Sequence, residues 1–268
     1  DINFGFATYS KTFEKVGSLA ASLMFVDYGK FEYADLYGNR DQGTFSVADY
    51  SLNIGWGRRL NPRFSIGSNL KAICSSYESY TSFGMAVDVA GSYIRDEDGF
   101  MSSLIVRNIG TQIQSYSGYY TEPLPFEIQI AASKKFTHAP FRVHLLLNEL
   151  NRWDLRYEDP YATETDPITG EVIEKNTVPD WGDEILRHVV VGGEFLPSKN
   201  FSVRFGYNYK RRQEMKVDSK VSMVGFSWGF GIRISKFHLS YARSTYHLAG
   251  SPNFISVSTN LSEFFVKE

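Results

Sequence analysis

Gly225-Phe226-Ser227-Trp228-Gly229 carries the G-x-S-x-G spacing, which in hydrolases raises a serine nucleophile above a sheet on a strained strand-to-helix turn. The surrounding residues argue against that chemistry. The pentapeptide lies inside an alternating stretch, 221–234, with no helical pattern after it and no acid and histidine placed to complete a triad. Small residues packing on one face of a strand account for it. Barrel lipases pair a serine with a histidine on neighbouring outward strand faces, but His138, His144, His188, His238 and His247 show no such arrangement. None of them is spaced from another His, Cys or carboxylate as a transition-metal site requires, so no catalytic residue, metal ligand or cofactor is expected. The single Cys74 cannot close an internal disulfide. In FSIGSNLKAICSS it shares the apolar side with Phe64, Ile66 and Leu70 and reads as a buried or lipid-facing thiol.

The segment 150–186 offers binding rather than catalysis. It holds ten acidic residues against three basic ones, Arg152, Arg156 and Lys175, and a connection longer than about 15 residues is commonly functional or disordered. Trp153, Tyr157, Tyr161 and Trp181 stand among the charges, and such aromatics are frequent anchors at interfaces. Trp153, Asp154, Tyr157 and Trp181 are the candidate partner contacts. A solvated loop folded back on the protein and calcium held by the carboxylates are the competing readings.

The elements that would position this loop alternate apolar and polar residues. In FSVRFGYNYK at 201–210, Phe201, Val203, Phe205, Tyr207 and Tyr209 oppose Ser202, Arg204, Gly206, Asn208 and Lys210, because successive strand residues point to opposite faces. At 224–233, Val224, Phe226, Trp228, Phe230 and Ile232 oppose Gly225, Ser227, Gly229, Gly231 and Arg233. The second face is small and polar, unlike a sandwich core. Strands are expected at about 2–13, 18–34, 44–59, 63–75, 83–94, 100–110, 126–136, 141–149, 187–196, 201–213, 221–234, 237–247 and 254–262. Short connections, at 14–17, 61–62, 95–99, 137–140, 197–200 and 235–236, alternate with longer ones at about 35–43, 76–82, 111–125, 150–186, 214–220 and 248–253. That rhythm predicts an all-β, antiparallel transmembrane barrel with short periplasmic turns and long outer loops, one domain over 1–268. Soluble sandwiches and propellers also alternate, but their strands are usually about 5–6 residues long, and no fixed repeat supports a propeller.

The polar face should collect His144, His188 and His238 with Lys71, Asp88, Arg107, Glu127, Arg142, Glu194, Arg204 and Arg233. Both signs are present, which predicts cross-strand pairing rather than a charge-selective ring. Ile73, Ile105 and Leu146 are its large apolar exceptions. Thirteen strands would place Asp1 on the outer side, so one further strand before Asp1 is expected, since bacterial barrels normally have even counts.

Bulk properties agree with this reading. A chain of 268 residues accommodates thirteen or fourteen strands of roughly 10 residues, and no run of 18 apolar residues offers a spanning helix. Aromatic residues make up 16%, as interfacial girdles would need. A net charge of −2 lacks the basic face that nucleic acid requires. No signal peptide is visible at Asp1.

Several blocks then resemble a known family. RNIGTQ at 107–112, EPLPFEIQIAASKKFTHAPFRV at 122–143, RWDLRYEDP at 152–160, GGEFLPSKNFSVRFGYNYKRRQEMK at 192–216, GFSWGFGIRI at 225–234 and YHLAGSPNFISVSTNL at 246–261 look like the PorQ proteins of the PorV/PorQ family in the type IX secretion system. That family is similar to the FadL long-chain fatty-acid transporters, which have fourteen strands. The resemblance implies a non-enzymatic outer-membrane member of a cell-surface attachment complex with PorU, PorV and PorZ. The complex removes a sorting domain from secreted cargo and joins the cargo to lipopolysaccharide. This chain is then expected to tether a PorZ-like protein through outer loops, especially 150–186 and 111–125. The alternative is a FadL-like transporter of hydrophobic small molecules, which would need a continuous apolar pocket inside the barrel.

Overall fold

The computed structural model describes residues 2–40, 43–156, 181–216, 223–247 and 250–264. Thirteen antiparallel strands follow one another in sheet order as they do in the chain: β1 (Asn3–Phe13), β2 (Gly17–Glu32), β3 (Thr44–Arg59), β4 (Phe64–Tyr77), β5 (Tyr80–Arg95), β6 (Phe100–Gln114), β7 (Glu127–Lys135), β8 (Phe141–Leu147), β9 (Val189–Ser198), β10 (Phe201–Asn208), β11 (Phe226–Ile234), β12 (Phe237–Ser244) and β13 (Asn253–Thr259). Among the described residues, two seven-residue helices interrupt them, α1 (Trp181–Arg187) and α2 (Tyr209–Met215). Among the described residues, no helix is long and apolar enough to cross a membrane. Contacts divide the chain into two compact units, Asp1–Asp96 with Met101–Ile130, and Glu97–Phe100 with Ala131–Glu268.

In the first unit the register separates two faces row by row. Thr8, Ser22, Asn53, Lys71 and Ala86 face one another across β1 to β5. The adjacent row is Ala7, Leu23, Leu52, Ala72 and Met85. A two-residue period makes these rows opposite faces, one polar and one apolar. Cys74 lies on the apolar face opposite Tyr50 and Phe83 and is exposed, in keeping with its apolar neighbours in sequence. The second unit repeats the division. Arg142, Glu194, Arg204, Gly229 and Ala242 form a row on the polar face, while Phe141, Phe195, Val203, Phe230, Tyr241 and Ile255 form one on the apolar face.

Burial is inverted relative to a protein that folds around an oily core. Among the described residues, the buried apolar side chains are Val47, Ala86, Leu155 and Val224, whereas Ser51, Ser82, Gln112, Glu184, His188, Glu194, Ser202 and Ser244 are buried polar ones. Leu19, Leu23, Leu52, Ile54, Leu70, Phe205, Trp228 and Leu239, all on the apolar faces, are exposed.

Three expectations are corrected. The strand expected over 201–213 stops at Asn208, whose side chain accepts a hydrogen bond from the Arg211 N–H at 2.9 Å and caps α2. The long connection expected at 76–82 is a hairpin of two residues, Glu78 and Ser79, between the paired Tyr77 and Tyr80. Glu78 adopts φ 56° there. β6 runs on to Gln114 instead of ending at 110, and Asn108 within it has φ 57°. Elsewhere short connections, such as 60–63, 96–99 and 235–236, alternate with longer ones, as the sequence rhythm requires.

The G-x-S-x-G pentapeptide lies at the start of β11, where Ser227 faces Gly206 and Ser244 in neighbouring strands. No helix follows it to build a nucleophile elbow, since β11 leads through residues 235–236 into β12.

Candidate functional site

The described ends of the 150–186 segment are folded into a network with α1, α2 and the start of β9. Glu149 ends β8's exit with φ 53°. Its carboxylate accepts hydrogen bonds from Lys210 Nζ at 2.6 Å and Arg152 Nη2 at 2.8 Å. Asp183 in α1 accepts from the Tyr209 hydroxyl of α2 and from Arg187 Nε, each at 2.7 Å. These carboxylates tie α1 and the loop entry to α2. Burial acts to raise both carboxyl pKa values, yet the hydrogen bonds and positive charge of Lys210 and Arg152 hold Glu149 below the usual carboxylate range. Tyr209 and Arg187 do the same for Asp183.

Deeper in the network, Glu184 is 4% exposed. Its Oε1 accepts from the Leu155 N–H at 2.7 Å, and Leu155 is itself buried. Arg156 Nε lies 3.0 Å from Glu184 Oε2, but the N–H is not aligned to make a hydrogen bond, so the contact is Coulombic. His188 was expected among the polar-face residues of the sheet. It sits instead one residue before β9, with Nδ1 2.8 Å from the Asn148 carbonyl and Nε2 3.1 Å from the Trp153 carbonyl. The imidazole thereby pins the backbone that carries Trp153.

This buried frame presents an exposed aromatic pair. Trp153 and Trp181 are 56% and 65% exposed, their rings 5.8 Å apart, and the Trp153 ring also lies 5.7 Å from that of His188. Ile185, one helical turn after Trp181, is exposed as well, continuing an apolar strip along α1. Asp154 is exposed; its Oδ1 accepts from the Arg156 N–H at 3.0 Å and lies 3.6 Å from Arg156 Nε. Of the four residues expected to contact a partner, Trp153, Asp154 and Trp181 are thus brought to one surface. Tyr157 lies outside the described residues, as do seven of the ten carboxylates of 150–186 on which the calcium reading depends. Glu149, Asp183 and Glu184, which build the frame with His188, were not marked by sequence, because nothing in their spacing shows that chain segments 30–60 residues apart meet there.

The depressed carboxyl values give the frame a pH dependence. Its contribution is fully present above the ordinary carboxylate range and is lost as pH falls through the lowered values of Glu149 and Asp183. Amide protection over 181–188, taken relative to the intrinsic exchange rate, should therefore hold down to the ordinary carboxylate range and fall below it. Lys210→Ala, which removes the cation that lowers Glu149, should weaken this protection already at neutral pH and flatten its dependence on pH. Exchange that opens above pH 5, or that ignores the substitution, would contradict this assignment.

The other expected loop, 111–125, behaves differently. Gln112 donates to Ser82 Oγ at 2.6 Å and accepts the Glu122 N–H at 2.7 Å, and Asn108 Nδ2 donates to the Pro125 carbonyl at 2.7 Å. The returning chain thus lies along the polar face of β5 and β6, leaving Tyr119 and Tyr120 exposed. Three sets of charged side chains on the polar faces are paired across strands, as their mixture of signs suggested. Lys71 Nζ lies 2.7 Å from Asp88, Arg107 3.8 Å from Glu127, and Glu194 accepts from both Arg142 at 3.1 Å and Arg204 at 2.7 Å. Beyond Ile73, Ile105 and Leu146, the face that carries Thr8 and Ser22 also bears Phe4 and Phe6 of β1, paired with Val26 and Met24. Among the described residues, no group of three His, Cys, Asp or Glu side chains is gathered to hold a metal.

No family model and no curated protein matches the sequence.

Proposed function

We propose that this chain is a non-enzymatic outer-membrane β-barrel of the type IX secretion system, whose outer loops anchor a PorZ-like surface protein. The observation that carries the membrane reading is the inverted burial: rows of Leu, Ile, Phe and Trp exposed on one face, with Ser, Gln and Glu buried on the other. In water such a surface would aggregate; in a bilayer it is the solvated one. The strand lengths suit the reading, since β2, β3 and β5 have 16 residues each and a tilted spanning strand needs about 9–11. Short turns then mark the periplasmic side and the 150–186 segment the cell surface.

Anchoring is supported by the exposed Trp153–Trp181 pair on its buried frame. Aromatic side chains held rigid before binding lose little entropy on docking. In this reading the partner is PorZ-like, PorU and PorV complete the assembly, and lipopolysaccharide surrounds the outer wall. The resemblance of blocks 192–216 and 225–261 to PorQ proteins supports this choice of complex.

The membrane part is tested by fractionation and thiol labelling. The chain should be recovered with outer membranes, and Cys74 should resist a charged maleimide in intact membranes but react after denaturation. Equal labelling in both states would remove the lipid-facing wall.

A second reading, a FadL-like carrier of hydrophobic small molecules, is favoured by one observation. Phe4, Phe6 and Met24 are exposed on the otherwise polar face, where an apolar ligand could lie. Lys71, Asp88 and Asn108 stand on the same face and interrupt an apolar path, so the tether is preferred.

A further inference from the structure

A cavity of about 580 Å³ opens on the polar face of the second unit, beside the turn at Lys199 and Asn200. Lys135, Arg142, Lys199, Arg204, Arg233 and His238 line it against a single carboxylate, Glu194. The lining therefore carries four more positive than negative charges with histidine neutral. Glu194, 5% exposed, is shared between Arg142 and Arg204. Glu263, 3.3 Å from Arg233, offsets one further charge. Among the described residues the lining, with Glu263 included, keeps an excess of three positive charges.

Pairing across strands is how a polar sheet face usually keeps its charges stable, and this end of the face departs from it. Lys71 with Asp88 in the first unit shows the ordinary arrangement. Two features suit the cavity to a compact polyanion. The guanidinium groups of Arg142 and Arg204 are fixed by Glu194, and fixed forks match the oxygens of a phosphate. Gly231 leaves space: a Cβ there would come 2.9 Å from Ser202 Oγ and 3.1 Å from His238 Nε2. Ser202 and His238 add polar atoms to the same wall. A monoanion would leave most of the excess unmet, whereas a phosphate monoester or pyrophosphate carries two or more charges.

We propose that this cavity binds a phosphate group, presented by a lipid headgroup or as a free phosphate compound. The site goes beyond partner anchoring: it lies at the opposite end of the strands from the Trp153–Trp181 surface and does not require that any protein dock there.

The test uses the full chain purified in detergent without phosphate buffers. Bound phosphorus is measured first, and sodium pyrophosphate is then titrated calorimetrically at physiological salt. Either about one phospholipid phosphorus per chain, identifying a headgroup, or saturable pyrophosphate binding to a phosphorus-free chain, identifying a free phosphate compound, is expected. Lys135→Gln with Lys199→Gln should weaken retention or binding about tenfold or more, since each removes a charge near the ligand. Arg233→Gln, on a different strand, should weaken it also, so one poorly folded variant leaves the proposal open to refutation. Absence of both bound phosphorus and saturable binding overturns it, as does binding unchanged in both variants.

Discussion

If the proposed membrane setting holds, Leu52→Arg should lower the stability of the chain folded into phospholipid vesicles by about 2–4 kcal/mol, the cost of a cation on a lipid face near the midplane of a spanning strand. Leu52 lies midway along β3, between Leu23 and Ala72 in its cross-strand row, and is half exposed. No charged group stands in that row: its other members are Ala7 and Met85. The guanidinium would have to reach the interface or draw water inward. Thr8→Arg is the matched control. Thr8 is exposed on the polar face opposite Ser22, and a charge there should change stability by no more than about 0.5 kcal/mol. Urea titration of vesicle-folded protein measures both. Equal, small effects would mean that the apolar face meets water and that the membrane reading is wrong.

Trp153→Ala and Trp181→Ala should each weaken docking of the proposed PorZ-like partner about 30-fold, the loss expected of an aromatic hot spot worth about 2 kcal/mol. The rings touch each other, so the double variant should fall short of the product of the two effects. Folding should survive, because the frame beneath is made by other groups: Glu184 on the Leu155 N–H, His188 on two backbone carbonyls, and Glu149 on Lys210. Surface-plasmon binding of the purified partner to nanodisc-embedded protein gives the affinity, and heat-modified mobility reports the barrel. Asp154→Ala should do less, since that carboxylate is exposed and engaged only with Arg156. Wild-type affinity in the double tryptophan variant would remove this surface from the interface.

Much of the sheet could be read directly from alternation. Phe205 and Trp228 against Arg204 and Gly229 announced two faces, and the register keeps them apart. Alternation failed where local chemistry competed with it. Tyr209 continues the pattern of Phe205 and Tyr207, yet Asn208 can cap a helix, and Lys210 to Met215 are good helix formers. The helix also gains contacts no local pattern reveals: Tyr209 on Asp183, and Arg211 with its guanidinium 3.8 Å above the Tyr246 ring. The two-residue hairpin was hidden because Glu78 and Ser79 lack the Gly or Asn that usually marks a positive φ. Phe4 and Phe6 were ambiguous for another reason. With Tyr9 and Phe13 on the opposite face of β1, a single strand cannot say which aromatic side continues the apolar face; the partner strands decide it.

The tryptophans of the candidate site were legible by type, but their support was not. Glu149 meets Lys210, and Asp183 meets Tyr209, only after the chain has folded back from β8 through α1 to α2. A charge mixture foretold pairing on the polar face, and Arg142, Glu194 and Arg204 pair. It did not foretell that Lys135, Lys199 and Arg233 gather at the same cavity, because they come from three separate strands and turns.

The most direct test of the central claim is a mild-detergent pull-down of this protein from native outer membranes, with proteins and lipids identified by mass spectrometry. The account predicts stoichiometric recovery of a PorZ-like surface protein, lost from the Trp153→Ala, Trp181→Ala variant. Recovery of bound fatty acid with no protein partner would contradict it and favour the hydrophobic-ligand carrier.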